Sequence, residues 1–210
     1  MVNSRQLSEV VASSLGRPYT ATLQHARNLR ETKGSKDGPL LSAGGRGRNA
    51  PAMTHEDAAA LLCAILGSEN VQDSVKTVEA MRELEANFQG QRGSMLRNGI
   101  VPFDTGIRRE HNVIEALAAV LRFFDGEQEI VRRFHPYDEE LHVLFEVEYP
   151  LHYAFITVGV RKKFWETWTY GRKKEVRNEQ LRRCRQDAMR EISHALRSTG
   201  ADGAKLEGDR

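Results

Sequence analysis

Only two cysteines occur in the 210 residues, Cys63 and Cys184. They stand far apart, each inside a helical pattern. That excludes a disulfide framework and a zinc-binding spacing, and it suits a reducing compartment. Long apolar runs are missing as well. No stretch approaches the roughly 18 residues that a membrane span needs, and the opening MVNSRQLSEVV lacks the apolar core of a secretory signal. These absences predict a cytoplasmic protein with no membrane partner. The usual catalytic signatures are also absent. No glycine-rich loop leads to a phosphate-binding lysine, and there is no Gly-x-Ser-x-Gly. His135, Asp138, Glu139, Glu140 and His142 gather in FHPYDEELH, with His152 beyond Pro150. Their spacing matches no metal pattern such as His-Glu-x-x-His, and a solvated sheet face explains them more simply. The reading is a protein that is not an enzyme, with no metal and no cofactor.

What the chain does have is charge, unevenly placed. Its formal net charge is only +2. Residues 1–50 nevertheless carry eight Lys/Arg against three Asp/Glu, and residues 54–90 two against seven. Residues 161–185 carry ten against three. Two basic zones around an acidic one point to a polyanionic partner or to self-association.

Periodicity orders the segments. SRQLSEVVASSL (4–15) spaces Leu7, Val10, Val11 and Leu15 as a helix, and Gly16 stops it. PYTATLQHARNLRET follows, with Pro18 suited to a first turn and Leu23, Ala26 and Leu29 turned inward. THEDAAALLCAIL (54–66) forms the clearest helix. Thr54 caps it with Asp57, Gly67 ends it, and Cys63 joins Ala60 and Leu66 on the apolar side. Helices are predicted over 73–88 and 107–124, with a turn at Asp125-Gly126. The period then falls to two. LHVLFEVEYP, YAFITVGV and KFWETWTY read as strands, the first with Val143, Phe145, Val147 and Tyr149 on one face. The aromatics Phe164, Trp165, Trp168 and Tyr170, set between RKK and GRKK, are expected to pack on the last helix. That helix is predicted over 174–197 and is strongly basic. Residues 199–210 read as a disordered tail.

The fold class predicted is α+β in sequential parts. A helical domain over residues 1–68 comes first, and connecting helices follow over 69–126. An antiparallel sheet with a long basic helix over 127–198 reads as the oligomerisation unit. Within the first part, two short helices meet across Gly16. The second turns Tyr19, Thr20, Thr22, Gln24, His25, Arg27 and Asn28 toward solvent or the flanks. Amides, hydroxyls and a guanidinium are the groups that read base edges. The stretch LSAGGRGRNAP then sets Arg46 and Arg48 on glycine hinges.

LSEVVASSLG, PYTATLQHARNLRE and LLSAGGRGRNAP together resemble the winged helix-turn-helix DNA-binding proteins of bacteria and their phages, over roughly residues 4–66. In the common pattern a buried aliphatic follows the glycine by six residues. Thr22 holds that place and Leu23 comes one later, which predicts a longer turn. The resemblance implies double-stranded DNA as partner. A recognition helix carrying Thr20, Thr22, Gln24, His25, Arg27 and Asn28 would enter the major groove, and a wing carrying Arg46 and Arg48 the minor groove. The expected role is a bacterial or phage-type transcriptional regulator acting as a homo-oligomer. Two alternatives stand beside it: a phage DNA-packaging subunit of the small-terminase kind that forms a ring, and a protein–protein adaptor that binds no DNA and docks acidic 54–90 on basic 161–185 of another copy.

Overall fold

A computed structural model describes residues 2–31, 39–42, 51–88, 105–133, 141–149, 153–160, 164–171 and 180–204. The first helix, α1, runs Ser4–Leu15. Asn3 caps it, its side chain accepting from the Arg5 and Gln6 N–H groups at 3.0 Å each, while the Gln6 side chain accepts from Asn3 N–H. Gly16 closes the helix at φ 60°, a left-handed conformation that costs glycine little. The Arg17 N–H then reaches back to the Ala12 carbonyl at 2.8 Å. Helix α2 runs Tyr19–Glu31, directly after Pro18. Thr22, at the expected sixth place after Gly16, is 1% exposed, so the turn is not lengthened.

Helix α3, His55–Gly67, is the centre of the molecule. Thr54 and Asp57 form the predicted capping box, and every residue from Asp57 to Gly67 is buried. A helix that is apolar on all sides needs neighbours on all sides. Here they are α1, α2, α4 (Ser74–Arg82), α5 (Val113–Arg133), α6 (Gln186–Ala204) and the sheet. A short 3-10 turn, Val71–Asp73, leads into α4, and β1 (Ala86–Phe88) follows it. The helix expected over 73–88 therefore stops at Arg82, because Ala86–Phe88 pair with Tyr170–Trp168.

The remaining strands are β2 (Leu141–Tyr149), β3 (Tyr153–Val160), β4 (Phe164–Tyr170) and β5 (Gln180–Arg185). The sheet is antiparallel throughout, in the order β1-β4-β3-β2-β5. Its register lines up Cys184, Phe145, Ile156 and Trp168 across four strands, and Val147, Ala154 and Tyr170 across three. These side chains are buried, and α3, α5 and α6 lie against the sheet. The architecture is α+β.

Further expectations change. The basic helix predicted from 174 begins only at Gln186. Arg182, Arg183 and Arg185 lie on β5, where pairing with β2 outweighs the helix propensity of Gln, Leu and Arg. The cationic cluster therefore sits on a strand, and α6 is not strongly basic. At its far end α6 continues to Ala204, so residues 199–204 are helical where a tail was expected. Helix α5 starts at Val113 rather than 107 and passes through Asp125-Gly126 without a turn. Asp125 is instead engaged from outside its helix by His55 and Ser193. Finally, Glu146 and Glu148 do not form a solvated face. They are 5% and 7% exposed, with Arg183 on Glu146 and Phe155 and Tyr153 in register beside them.

One hydrophobic cluster runs from Val2 through α3 and α5 to the sheet and Ile192. Residues on both sides of positions 68 and 126, such as Leu66 and Val78, and Phe124 and Val143, contribute to this cluster. Trp168 and Tyr170 join it from β4. The last helix packs on β2 and β5 instead.

Candidate nucleic-acid interface

The α1–α2 pair owes its shape to the Gly16 stop and the Pro18 start, only two residues apart. Val11 and Leu7 of α1 and Ala26 and Leu29 of α2 fill the space between and beneath the helices. One line of α2 stays outside: Thr20, Gln24 and Arg27 are exposed, at spacings of four and three. Gln24 Nε2 donates to Asn28 Oδ1 at 2.9 Å, which orders the amide along the helix.

Three of the expected DNA-reading residues face the other way. Thr22 is buried, and its hydroxyl donates to the Pro18 carbonyl at 3.2 Å. His25 is 8% exposed, with Nδ1 2.7 Å from Ser74 Oγ, and burial pushes its pKa down to about 4. Asn28 is half-buried, its amide donating to the Val71 carbonyl at 2.7 Å. Thr22 Oγ1, His25 Nδ1 and the Asn28 amide nitrogen thus each have a partner inside the protein, which lowers the penalty of their burial. These residues fasten α2 to the 3-10 turn and α4 rather than facing outward.

Arg46 and Arg48 lie outside the described residues. The ends of their segment are described, and both are pinned. Leu40 N–H donates to the Leu29 carbonyl at 3.1 Å, and Leu40 and Leu41 are buried. Ser42 donates from its N–H at 2.7 Å and its hydroxyl at 2.8 Å to the two oxygens of Asp57. On the far side, Met53 N–H reaches the Val2 carbonyl at 2.8 Å. The Gly/Arg segment thus leaves and returns beside the start of α1 and the end of α2. There the exposed Arg30 donates to Ser4 Oγ at 2.8 Å, and exposed Arg5 follows. Sequence reasoning did not single out Arg5 or Arg30. Their proximity follows from the helix crossing, which no local pattern reports.

Among the described residues, His55, Asp125 and Ser193 come together away from α2. His55 Nε2 lies 2.8 Å from Asp125 Oδ2, and Ser193 Oγ lies 2.6 Å from Asp125 Oδ1. The carboxylate stands between the other two, so the histidine cannot take a proton from the serine, as nucleophilic catalysis requires. Ser193 is also fully buried, 2.8 Å from the Leu121 carbonyl. The trio ties α3, α5 and α6 together. Burial is the main cause lowering the His55 pKa, against the attraction of Asp125. Both cysteines are buried free thiols, and burial raises Cys63 and pushes Cys184 up to about 12. Such thiols are inert. Among the described residues no three His, Cys, Asp or Glu side chains converge as metal ligands. Of the titratable residues in FHPYDEELH only His142 is described. No helix among the described residues is long and apolar enough to cross a membrane. Compared with known proteins, the chain matches no family model, no curated relative and no solved structure.

Proposed function

We propose that this protein binds double-stranded DNA as a regulator of the bacterial or phage type, acting in the cytoplasm. Helix α2 enters the major groove, and the Gly/Arg segment reaches the neighbouring minor groove. The observation that carries this reading is the exposed line Thr20, Gln24 and Arg27 on a helix held from behind by Thr22, His25 and Asn28. A reader of base edges must be both exposed and rigid. Arg5 and Arg30 add cationic charge near Leu40 and Met53, on the described residues that flank the Gly/Arg segment. The adaptor alternative draws on acidic charge in 54–90, part of which is engaged within the chain. Asp57 is buried on Ser42, and Glu56 pairs with Arg122.

Replacing Gln24 or Arg27 by alanine should cost about 1–3 kcal/mol of discrimination for a selected site. Both side chains are exposed, so the melting temperature should hold. Competition binding against a selected duplex checks this. Full discrimination in both variants removes α2 as the reader.

The paired change Arg46→Ala and Arg48→Ala should weaken duplex binding and flatten the salt dependence by roughly two units, about 0.9 for each phosphate no longer neutralised. The corresponding lysine variant separates two modes of binding. Lysine keeps phosphate attraction but, being more strongly hydrated, enters a narrow groove less readily, so preference for A·T-rich flanks should fall. Equal affinity and equal salt slope in the alanine variant and the parent would exclude this segment. Light scattering with and without duplex separates a dimeric regulator from the ring of a packaging subunit.

A further inference from the structure

A cleft of about 650 Å³ opens on the side of α2 away from the exposed line. Its first wall is the start of α2, with Arg17, Pro18, Ala21, Thr22 and His25. Its second is the end of α3 and the chain after it, with Ile65 and Ser68–Val71, and its third is Gln180–Arg182 of β5. The cleft is open to solvent on one side and combines polar and apolar surface, so a small molecule would meet both.

The polar groups define what fits. Ser74 gives its hydroxyl proton to the Val71 carbonyl, so its oxygen must accept from His25 Nδ1–H. That fixes the tautomer and leaves Nε2 as a bare acceptor. His25, 8% exposed, lines the cleft, and its Nε2 has no partner among the described residues. Burial keeps the ring neutral at pH 7, so it asks for a hydrogen-bond donor and not for an oxyanion. An anion is wanted nearby. The first-turn N–H groups of α2 have no intrahelical acceptor, and Pro18 offers no side-chain cap. Arg17, which also lines the cleft, is exposed and has no side-chain partner among the described residues. The second wall adds the Glu69 carboxylate, held by the Tyr149 hydroxyl at 2.8 Å. Ile65, Val71 and Leu181 supply apolar surface. Leu181, 43% exposed, is the exposed large hydrophobic among the described residues. Arg182 is occupied by the Leu66 and Ser68 carbonyls and by Gln180.

One donor, one anion and an apolar body, with a carboxylate available for a cation, describe a single class of ligand. We propose that this cleft binds a free α-amino acid with an apolar side chain. The carboxylate meets the first turn of α2 and Arg17. The ammonium donates to His25 Nε2 and faces Glu69. The side chain lies on Ile65, Val71 and Leu181. This site does not depend on DNA binding, and its test contains no DNA.

The experiment is calorimetric titration of the full chain with L-leucine, with 4-methylpentanoate, which lacks the ammonium, and with isoamylamine, which lacks the carboxylate. L-Leucine should bind saturably, and each analogue at least about tenfold more weakly, since each leaves a charged group of the cleft unmatched. Arg17→Ala should weaken leucine binding by a similar factor at an unchanged melting temperature, because Arg17 is exposed. Nitrogen-15 spectra of the imidazole should show His25 Nε2 shifting with leucine and staying put with 4-methylpentanoate. No saturable leucine binding, equal binding of 4-methylpentanoate, an unaffected Arg17→Ala variant or an unmoved Nε2 would each overturn the assignment.

Discussion

Replacing Phe145 by alanine should destabilise the protein by about 3–5 kcal/mol, the range for emptying an aromatic site in a closed core. Phe145 is fully buried on β2, with Ile156 of β3 on one side and Cys184 of β5 on the other. Helices α3 and α6 lie against the same strand. Two extended strands and two helices leave little freedom for the walls to collapse, which favours the upper end of the range. Typical domains have only about 5–15 kcal/mol in all, so the loss would be a large share of the total. In urea the unfolding midpoint should fall with little change in slope. Phe145→Leu keeps most of the volume and should cost much less. A loss under about 1 kcal/mol for the alanine variant would show that this site relaxes freely, contrary to its placement.

Asp57→Ala should cost about 3 kcal/mol, from a lost helix cap of about 1 kcal/mol and from backbone donors left without their acceptor at about 1–3 kcal/mol. The carboxylate is 5% exposed. It accepts from the Ser42 N–H and hydroxyl and from the Thr54 N–H, at 2.7–2.8 Å. One side chain therefore starts α3 and fixes the point where the Gly/Arg segment departs. Asp57→Asn preserves the shape but weakens the charge-assisted bonds, so it should fall between the parent and the alanine variant. Thermal melts rank the three. If Asp57→Ala melts with the parent, neither the cap nor the anchor matters to stability.

The sequence made some of this visible and hid the rest for physical reasons. Helices α1 and α3 announce themselves through local signals, a glycine stop and a Thr54–Asp57 box, which act within a few residues. Strand β2 shows its alternation in LHVLFEVEY. Strand β5 does not, because QLRRCR becomes a strand only by pairing with residues 144–149 far earlier in the chain. On α2 an apolar-only count favours Leu23, whereas the buried set is Thr22, His25, Ala26 and Leu29. Thr22 goes inside with its hydroxyl on the Pro18 carbonyl and His25 with Nδ1 on Ser74, and a partner as distant in sequence as Ser74 cannot be read from the helix itself. The candidate site was therefore half legible. Thr20, Gln24 and Arg27 are exposed as expected, while the cleft behind them depends wholly on tertiary packing.

The first helix and the last lie side by side, joined by Ser14 Oγ to Glu191 at 2.6 Å across 177 positions. On a ribosome this has a temporal meaning. Translation proceeds at about 5–20 residues per second, so α1 and α2 wait on the order of ten seconds before α6 exists to cover them. During that interval the apolar side of α1 rests on α2 and α3, and closure must await contacts as distant as Ser14 to Glu191. Folds dominated by such long-range pairings assemble slowly. The helix pair that faces outward is thus made well before α6, and it gains its full support only once α6 has been synthesised.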